Sequence, residues 1–389
     1  MVKIVANKSF SPTNPNSPVL TIILPTRNAN HLLEHSIDSV LQSKASRFEL
    51  LIVDNNFPAH VNIDVEKLID SRLRIVYSNR KLSMSENWHL GLSSARGEWV
   101  TFIGSDDGIV SHNLSKVIEL IENVSSGSEA ILFRSMGFTY PLNNRPAWCE
   151  LPTKPPTQKI SRIRNSGPLV ALFPTQMISS LPIPYGGAVC KKILFSEILY
   201  SESRIPGIAP DYFLGFYVGL RAKHLLFVDE IFAIRGVSEI SNGYQTLNDI
   251  QSPNMLDFLK DAEFVNKGKF KRSDIKCRTK ISTLDYLFAK NYSSANRFNL
   301  GDKFLLKISR VTCIEAGHHA SSTLESFLPI RKFIFNTIGY LMRKSWFFMF
   351  GVRTRNLRNY KVYLEKEENI STIQPMIQST YERFALGAD

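Results

Sequence analysis

The sequence predicts an α/β protein with a mostly parallel sheet flanked by helices. Three observations lead there. Apolar, β-prone runs recur at residues 19–24, 48–53, 73–77 and 99–103. The stretches between them repeat apolar residues at helical spacing, which makes βαβ units. Each run also ends in polar residues, at the place where an open α/β sheet binds its ligands.

Taken in order, the run at 19–24 is stopped by Pro25 and followed by Thr26-Arg27-Asn28. Asn30 can cap a helix that carries Leu32, Leu33, Ile37, Val40 and Leu41 on one face. The second run ends in Asp54-Asn55-Asn56, residues 64–70 suggest a short helix, and the third run ends in Ser78-Asn79-Arg80. Residues 83–94 read as a further helix. The fourth run stops at Gly104 and delivers Ser105, Asp106 and Asp107.

In a parallel sheet these four exits share one edge. Arg27, Arg80 and the nearby amides can meet phosphates, and Asp54 can accept hydrogen bonds from a base or ribose. Asp106 and Asp107 are suited to a hard divalent cation, Mn2+ or Mg2+, which leaves positions open for phosphate oxygens. With helix N-termini alongside, this is the material of a nucleoside diphosphate site. Any one cluster alone is good turn chemistry; the convergence of four separates the two readings. No GxGxxG follows the first run and no GxxxxGK[ST] occurs, which disfavours a dinucleotide fold and a P-loop. His31-Leu32-Leu33-Glu34-His35 has the H-x-x-E-H spacing of one metalloprotease class, but it lies on a helix with a full apolar stripe.

Composition bounds the answer. A chain of 389 residues favours two or three domains, or one large domain with an appendage. The net charge of +12 suggests an acidic partner, whether a phosphorylated ligand, an anionic membrane surface or nucleic acid. Cys149, Cys190, Cys277 and Cys313 form no CxxC and indicate neither a zinc site nor a disulfide framework, so a reducing compartment is the simpler inference. Residues 1–18 lack an apolar h-region and read as a loose leader. No run of 18 apolar residues exists, so no spanning helix is expected.

The ordered set Ile23-Leu24-Pro25-Thr26-Arg27-Asn28, Leu51-Ile52-Val53-Asp54-Asn55, Asn87-Trp88 with Gly91, Ala95-Arg96-Gly97-Glu98 and Phe102-Ile103-Gly104-Ser105-Asp106-Asp107 resembles glycosyltransferase family 2, inverting enzymes with the GT-A fold. The resemblance covers about residues 19–125 and implies a Rossmann-like mixed sheet flanked by helices. It implies that Asp54 reads the nucleotide base. Asp106 and Asp107 are then the DxD-type element, with Asp107 the foremost metal ligand. Pro25, Thr26, Arg27, Asn28, Arg80, Asn87 and Ser105 join Asp54 and Asp106 in holding a nucleotide-sugar. One departure is Gly104, where the family often has an acidic residue.

Further on the match is looser. Residues 183–192 look like the family's strand leading into an acceptor-side helix. Ala209-Pro210-Asp211-Tyr212 resembles the element that carries the catalytic base, which makes Asp211 the base, though the position also suits a helix cap. Residues 234–241 are similar to a loop closing over the diphosphate, and Arg235 would assist there. Residues 136–182, irregular and Pro-rich, look like an insertion facing the acceptor. The chain thus divides into a leader (1–18), a nucleotide-sugar-binding half (19–125), an acceptor-binding half (126–250) and a mainly helical, basic C-terminal region (251–389).

Within that last region, residues 331–361 combine Arg331, Lys332, Arg343, Lys344, Arg353, Arg355, Arg358 and Lys361 with twelve large apolar residues between 333 and 350, and hold no acidic one. Such a stretch suits an anionic membrane interface, or else a buried helix pair with basic ends. No nucleic-acid module accompanies it. The expectation is a cytoplasmic enzyme, peripheral at the inner face of the cell membrane. It would move a hexose from a UDP- or dTDP-sugar to a hydroxyl of a surface polysaccharide or lipid-linked glycan. Alternatives are a sugar nucleotidyltransferase, which would normally show a Gly-rich loop after the first strand, and a non-catalytic nucleotide-sugar or glycan-binding module.

Overall fold

A computed structural model describes residues 3–5, 17–27, 31–61, 69–124, 127–152, 156–164, 181–248 and 250. Beyond these it describes 252–253, 255–258, 260, 285–289, 359–364, 370, 372–375 and 377–378. Asn28, Asn30, Cys277, Cys313, most of the expected helix at 64–70, and residues 331–358 of the basic aromatic stretch lie outside the described residues.

The elements in chain order are β1 (Lys3–Val5), β2 (Leu20–Thr26), α1 (His31–Leu41), β3 (Phe48–Asp54), β4 (Leu73–Tyr77), α2 (Met84–Ser94), β5 (Trp99–Phe102) and β6 (Gly108–Ile109). Then follow α3 (Ser111–Val124), β7 (Ala130–Thr139), β8 (Trp148–Pro152), β9 (Ile160–Arg164), β10 (Ala188–Lys191), α4 (Ser196–Ser201), α5 (Pro210–Arg221), β11 (His224–Val237), α6 (Asn242–Leu247) and β12 (Asn359–Tyr363). Among the described residues the strands form one mixed sheet in the order β1-β4-β3-β2-β5-β10-β7-β11-β6, with β8 on β7, β12 on β8 and β9 on β11.

The first half is the parallel arrangement expected. β2 pairs parallel with β3 and β5, and β3 with β4. Every residue of β3 is buried, as a parallel strand covered on both faces requires. The second half turns the sheet mixed. β10 runs antiparallel between β5 and β7, while β7 and β11 run parallel to each other. By these pairings β2, β3, β4, β5, β7 and β11 all point the same way. Their C-terminal ends therefore lie along one edge.

Two stretches read as irregular contribute strands. Lys3–Val5, inside the expected loose leader, pairs antiparallel with β4 and covers its open edge. Residues 136–182 contain the end of β7 together with β8 and β9. In the C-terminal region β12 is antiparallel to β8. Ile370, Ile373 and Ile377 pack with Leu32, Val110, Met136 and Phe138. Among the described residues no helix is long and apolar enough to cross a membrane.

Apolar clusters fill both faces of the sheet. Helix α2 begins on a complete capping box: Ser83 accepts from the Glu86 amide, and the Glu86 carboxylate accepts from the Ser83 amide. This fixes where α2 meets the sheet. Gly91 is the point of closest approach, since a Cβ there would stand 2.6 Å from Ile23 Cγ2 and 3.0 Å from Val53 Cγ2. Gly91→Ala gains about 1 kcal/mol of helix propensity. It overpacks two β-branched side chains at a cost of about 1–3 kcal/mol. The expected result is a net loss of about 1 kcal/mol, read as a lower urea midpoint. A raised midpoint would mean that the helix lifts off the sheet without cost.

Candidate active site

The exits of β2, β3, β4 and β5 stand side by side, with Thr26 opposite Asp54 and Asp54 opposite Tyr77. Most of the residues expected at the site are brought together here, though several face partners other than those foreseen.

Asp54 is fully buried. Its Oδ1 accepts from the Asn56 amide at 2.8 Å, and Oδ2 from the Val61 amide at 3.0 Å, with His60 Nδ1 3.2 Å away. Its oxygens thus organise the 55–61 loop. Asn55 clamps the β4 exit, donating to the Leu82 carbonyl and accepting from the Leu82 amide. Arg80 is exposed and turned to Glu86 at 2.8 Å. Arg27 pairs with Asp257, which Lys81 also reaches. Thr26 Oγ1 and Asn87 Oδ1 are buried with no hydrogen-bond partner among the described residues. Such atoms cost about 1–3 kcal/mol each when nothing meets them.

The centre of the edge is the Asp106–Asp107 pair. Asp107 Oδ2 accepts from the Gly104 amide at 2.6 Å, Oδ1 accepts from the Gly236 amide at 2.7 Å, and the Tyr185 hydroxyl also donates to this carboxylate. Asp106 Oδ2 accepts from the hydroxyls of Ser238, at 2.8 Å, and Ser241. The loop seen in the sequence at 234–241 therefore closes on the two aspartates themselves. Arg235 is exposed, its side-chain stem lying over Gly186. Gly236 is required, because a Cβ there would stand 1.6 Å from the Asp106 carbonyl oxygen. Helix α1 braces the same turn, with Ser36 Oγ donating to the Ser105 carbonyl and Ser39 Oγ accepting from the Ile109 amide. From the far end of the chain, Gln374 donates to the Ile109 carbonyl at 2.7 Å and accepts from the Ser111 amide at 3.2 Å. Ile370 fills the space a side chain at Gly108 would take.

Two adjacent buried carboxylates repel. Burial first, and then the charge of Asp106, push the Asp107 carboxyl up to about 7. Burial holds Asp106 above the ordinary carboxylate range against its bonds from Ser241 and Ser238. Tyr185 and Tyr140 are raised by burial and then by both aspartates. Among the described residues no Lys or Arg pairs with either aspartate. Asp106 Oδ1, Asp107 Oδ2 and the Tyr185 hydroxyl converge within 3.0 Å of the point a Gly104 side chain would occupy. These hard oxygens fit a divalent cation in charge and type. No cluster of three or more His, Cys, Asp or Glu among the described residues could enclose one, so a cation here would take its remaining oxygens from ligand or water. An acidic side chain at position 104 would fill that point, which gives the glycine a steric reason.

The acceptor half meets the pair through Tyr185. Its ring packs on Trp88, which stacks on Phe102 of β5 at 4.2 Å. Asp211 lies in the first turn of α5 behind Pro210, and its charge is felt by both Tyr185 and Asp285. Asp285 is fully buried and accepts from the Ile208 and Ala209 amides at 2.5 and 3.0 Å, steadying the chain that leads into α5. Two other buried carboxylates of the acceptor half are engaged elsewhere: Asp229 with Arg134 and Thr157, Glu230 with Asn113 and Lys116. Tyr185, Ser238, Ser241, Asp257 and Asp285 were not singled out from the sequence. The first three sit inside stretches that the resemblance quoted, whereas Asp257 and Asp285 sit in sequence without a motif.

Residues 21–172 match the family model described as Glycosyl transferase family 2. That stretch, less than half of the chain, is what resembles the family. Among its relatives is the Escherichia coli UDP-Glc:alpha-D-GlcNAc-diphosphoundecaprenol beta-1,3-glucosyltransferase, 27% identical over 26% of this chain and 41% of that protein. Another is the Campylobacter jejuni GalNAc(5)-diNAcBac-PP-undecaprenol beta-1,3-glucosyltransferase, 33% identical over 26% of this chain and 34% of that protein. The chain thus spans well under half the length of these curated relatives. Among solved structures, S. aureus TarS 1-349 in complex with UDP-GlcNAc aligns with a TM-score of 0.43 at 15% identity, over 76% of this chain and 81% of that one.

The raised Asp107 carboxyl has a consequence for stability. Its folded value of about 7 exceeds the ordinary 3.8, so the folded state binds more protons and loses stability as pH rises from about 4 to 7. Asp106→Asn removes the like charge, while the Ser238 and Ser241 hydroxyls can rotate to suit an amide. In the ligand-free protein this variant should gain on the order of 1 kcal/mol over wild type above pH 7, and the gain should vanish below pH 4. Thermal midpoints across pH 4–8 check it; a pH-independent difference would place the effect outside the Asp106–Asp107 repulsion.

Proposed function

We propose that this family 2 domain transfers a hexose, with inversion, from a UDP- or dTDP-sugar to a hydroxyl of a lipid-linked or surface glycan. The observation that carries the reading is the Asp106–Asp107 pair. It stands beside the strand exits that hold Arg27 and Asp54, with Asn87 of α2 against the end of β3, and it bonds to Tyr185, which feels the charge of Asp211 at the start of α5. Donor-side and acceptor-side groups thus meet at one centre. The acceptor class follows the printed names of the two glucosyltransferases, both of which act on undecaprenol-diphosphate-linked glycans. Cell-envelope polysaccharide synthesis is the corresponding setting.

In this reading the unpartnered Thr26 Oγ1 and Asn87 Oδ1 take hydrogen bonds with the nucleotide-sugar. Asp54 presents the 55–61 loop to the base and need not touch it. Asp106 and Asp107 would hold Mn2+ or Mg2+, a Lewis acid that offsets charge developing on the leaving diphosphate. Asp211 removes the proton of the acceptor hydroxyl as that oxygen attacks the anomeric carbon from the face opposite the diphosphate. Tyr185 fixes Asp107 and, through its ring on Trp88, keeps the two halves in register. Arg235, exposed at the rim, is placed to meet the diphosphate.

The test is nucleoside diphosphate release from UDP- and dTDP-sugars by purified protein with a lipid-linked acceptor. Asp211→Asn should lower kcat by about 10²- to 10⁴-fold with donor binding near wild type. Retained kcat with weakened donor binding would make Asp211 a helix cap. Asp107→Asn, which cannot accept from both the Gly104 and Gly236 amides, should be inactive, as should wild type in EDTA; full activity in EDTA removes the metal from the mechanism.

Residues 331–361 would add attraction to an anionic membrane at the inner face of the cell. Because β12, Ile370, Ile373, Gln374 and Ile377 pack into the body, truncation would damage the fold. Neutralising Arg343, Lys344, Arg353 and Arg355 is the cleaner test. These changes should release the protein from acidic liposomes by about 1 kcal/mol per charge. Unchanged co-sedimentation would assign those residues to packing.

A further inference from the structure

Arg27 follows β2 and Lys81 follows β4, so the two cations flank the exit of β3, the strand between them. Both converge on one carboxylate oxygen. Asp257 Oδ2 accepts from Arg27 Nη2 at 2.5 Å and from Lys81 Nζ at 2.7 Å. Asp257 lies 230 residues from Arg27 in sequence. Its segment is anchored on the acceptor side, where Met255 and Phe258 pack with Ile208 and Ala209, and touches Tyr212 and Met84. Ser252 Oγ accepts from the Met255 amide and donates to Gln245. Residues 255–258, anchored on the acceptor half, thus set a single negative charge between two positive ones.

We propose that Arg27 and Lys81 form a phosphate site, that Asp257 occupies it in the free protein, and that the diphosphate of the ligand displaces the Asp257 side chain. This rests on the donor reading given above and adds Lys81 and Asp257 to it. One carboxylate leaves the two cations with a net positive charge, whereas a diphosphate supplies more charge and more acceptor oxygens for the guanidinium and ammonium. Lys81 and Arg27 hold the Asp257 carboxyl below the usual carboxylate range against its partial burial, so it stays ionised and competes at neutral pH. Asp257 is about a quarter exposed and Lys81 more than half exposed; a side-chain rotation is enough to free the site.

The experiment is calorimetry at low salt, with inorganic pyrophosphate in magnesium-free buffer and with UDP in Mg2+, on the full chain as wild type, Asp257→Asn and Lys81→Met. Asp257→Asn keeps the shape and removes the competing charge. It should bind pyrophosphate and UDP about tenfold more tightly than wild type, while Lys81→Met should bind both about five- to tenfold more weakly. Equal or weaker binding by Asp257→Asn overturns the proposal and makes Asp257 a brace that orients the two cations. No pyrophosphate binding by wild type or Asp257→Asn also overturns it. The donor reading fails separately: pyrophosphate tightening in Asp257→Asn, with no UDP binding by any of the proteins, leaves a phosphate site and removes the nucleotide. All three proteins are compared at equal thermal midpoints, which these partly exposed positions permit.

Discussion

Everything at the sheet edge depends on keeping two like charges buried side by side. Asp106 and Asp107 have no cationic partner among the described residues, so their cost is met by directed hydrogen bonds from three separate parts of the chain. Gly104 donates from the exit of β5, Gly236 with Ser238 and Ser241 from the end of β11 and the turn after it, and Tyr185 from the approach to β10. These partners lie on both halves of the molecule. The hydrogen bonds that offset the repulsion between the aspartates therefore also link the two halves. A centre built this way is preorganised for positive charge before any ligand arrives.

Around that centre the glycines mark where backbone must come closer than a side chain allows. Gly236 lies against the Asp106 carbonyl, Gly104 leaves the space into which three oxygens point, and Gly108 admits Ile370. None of the three needs a left-handed backbone; each is a matter of contact distance. The same logic applies to Gly91 beneath α2. Helix, turn and strand are thereby held at spacings that a methyl group would break.

The parallel half of the fold was legible because its signals are local. Runs of β-branched residues, a capping box and helical periodicity each act within a dozen residues, and four exits on one edge follow from strand direction alone. The partners of the exit residues were less legible. Asp54 reads as a ligand to a base, yet its lone pairs serve the amides of Asn56 and Val61 in its own loop. Arg80 reads as a phosphate contact, yet the N-terminal turn of α2 offers Glu86 six residues away. Tyr185, Ser238 and Ser241 act across sequence separations above 75 residues, and no periodicity encodes such pairings. Asp257 and Asp285 sit in sequence whose composition is simply polar and helical. The resemblance implied a mixed sheet, but the strand order β5-β10-β7-β11 rests on long-range pairing, with β10 inserting between strands that precede it in the chain.

The contacts made by Ile370 and Gln374 bear on the order in which the molecule can assemble. Gln374 ties Ile109 and Ser111, and Ile370 seats against Gly108, across some 263 residues of sequence. Pairings of such span form late, after loop closure has been overcome by other contacts. On a ribosome, which releases the chain from its N-terminus, the turn bearing the two aspartates waits for residues near 374 before its last supports arrive. Until then the nascent sheet holds an incompletely braced acidic turn. The fully braced centre therefore appears only in molecules synthesised past Gln374.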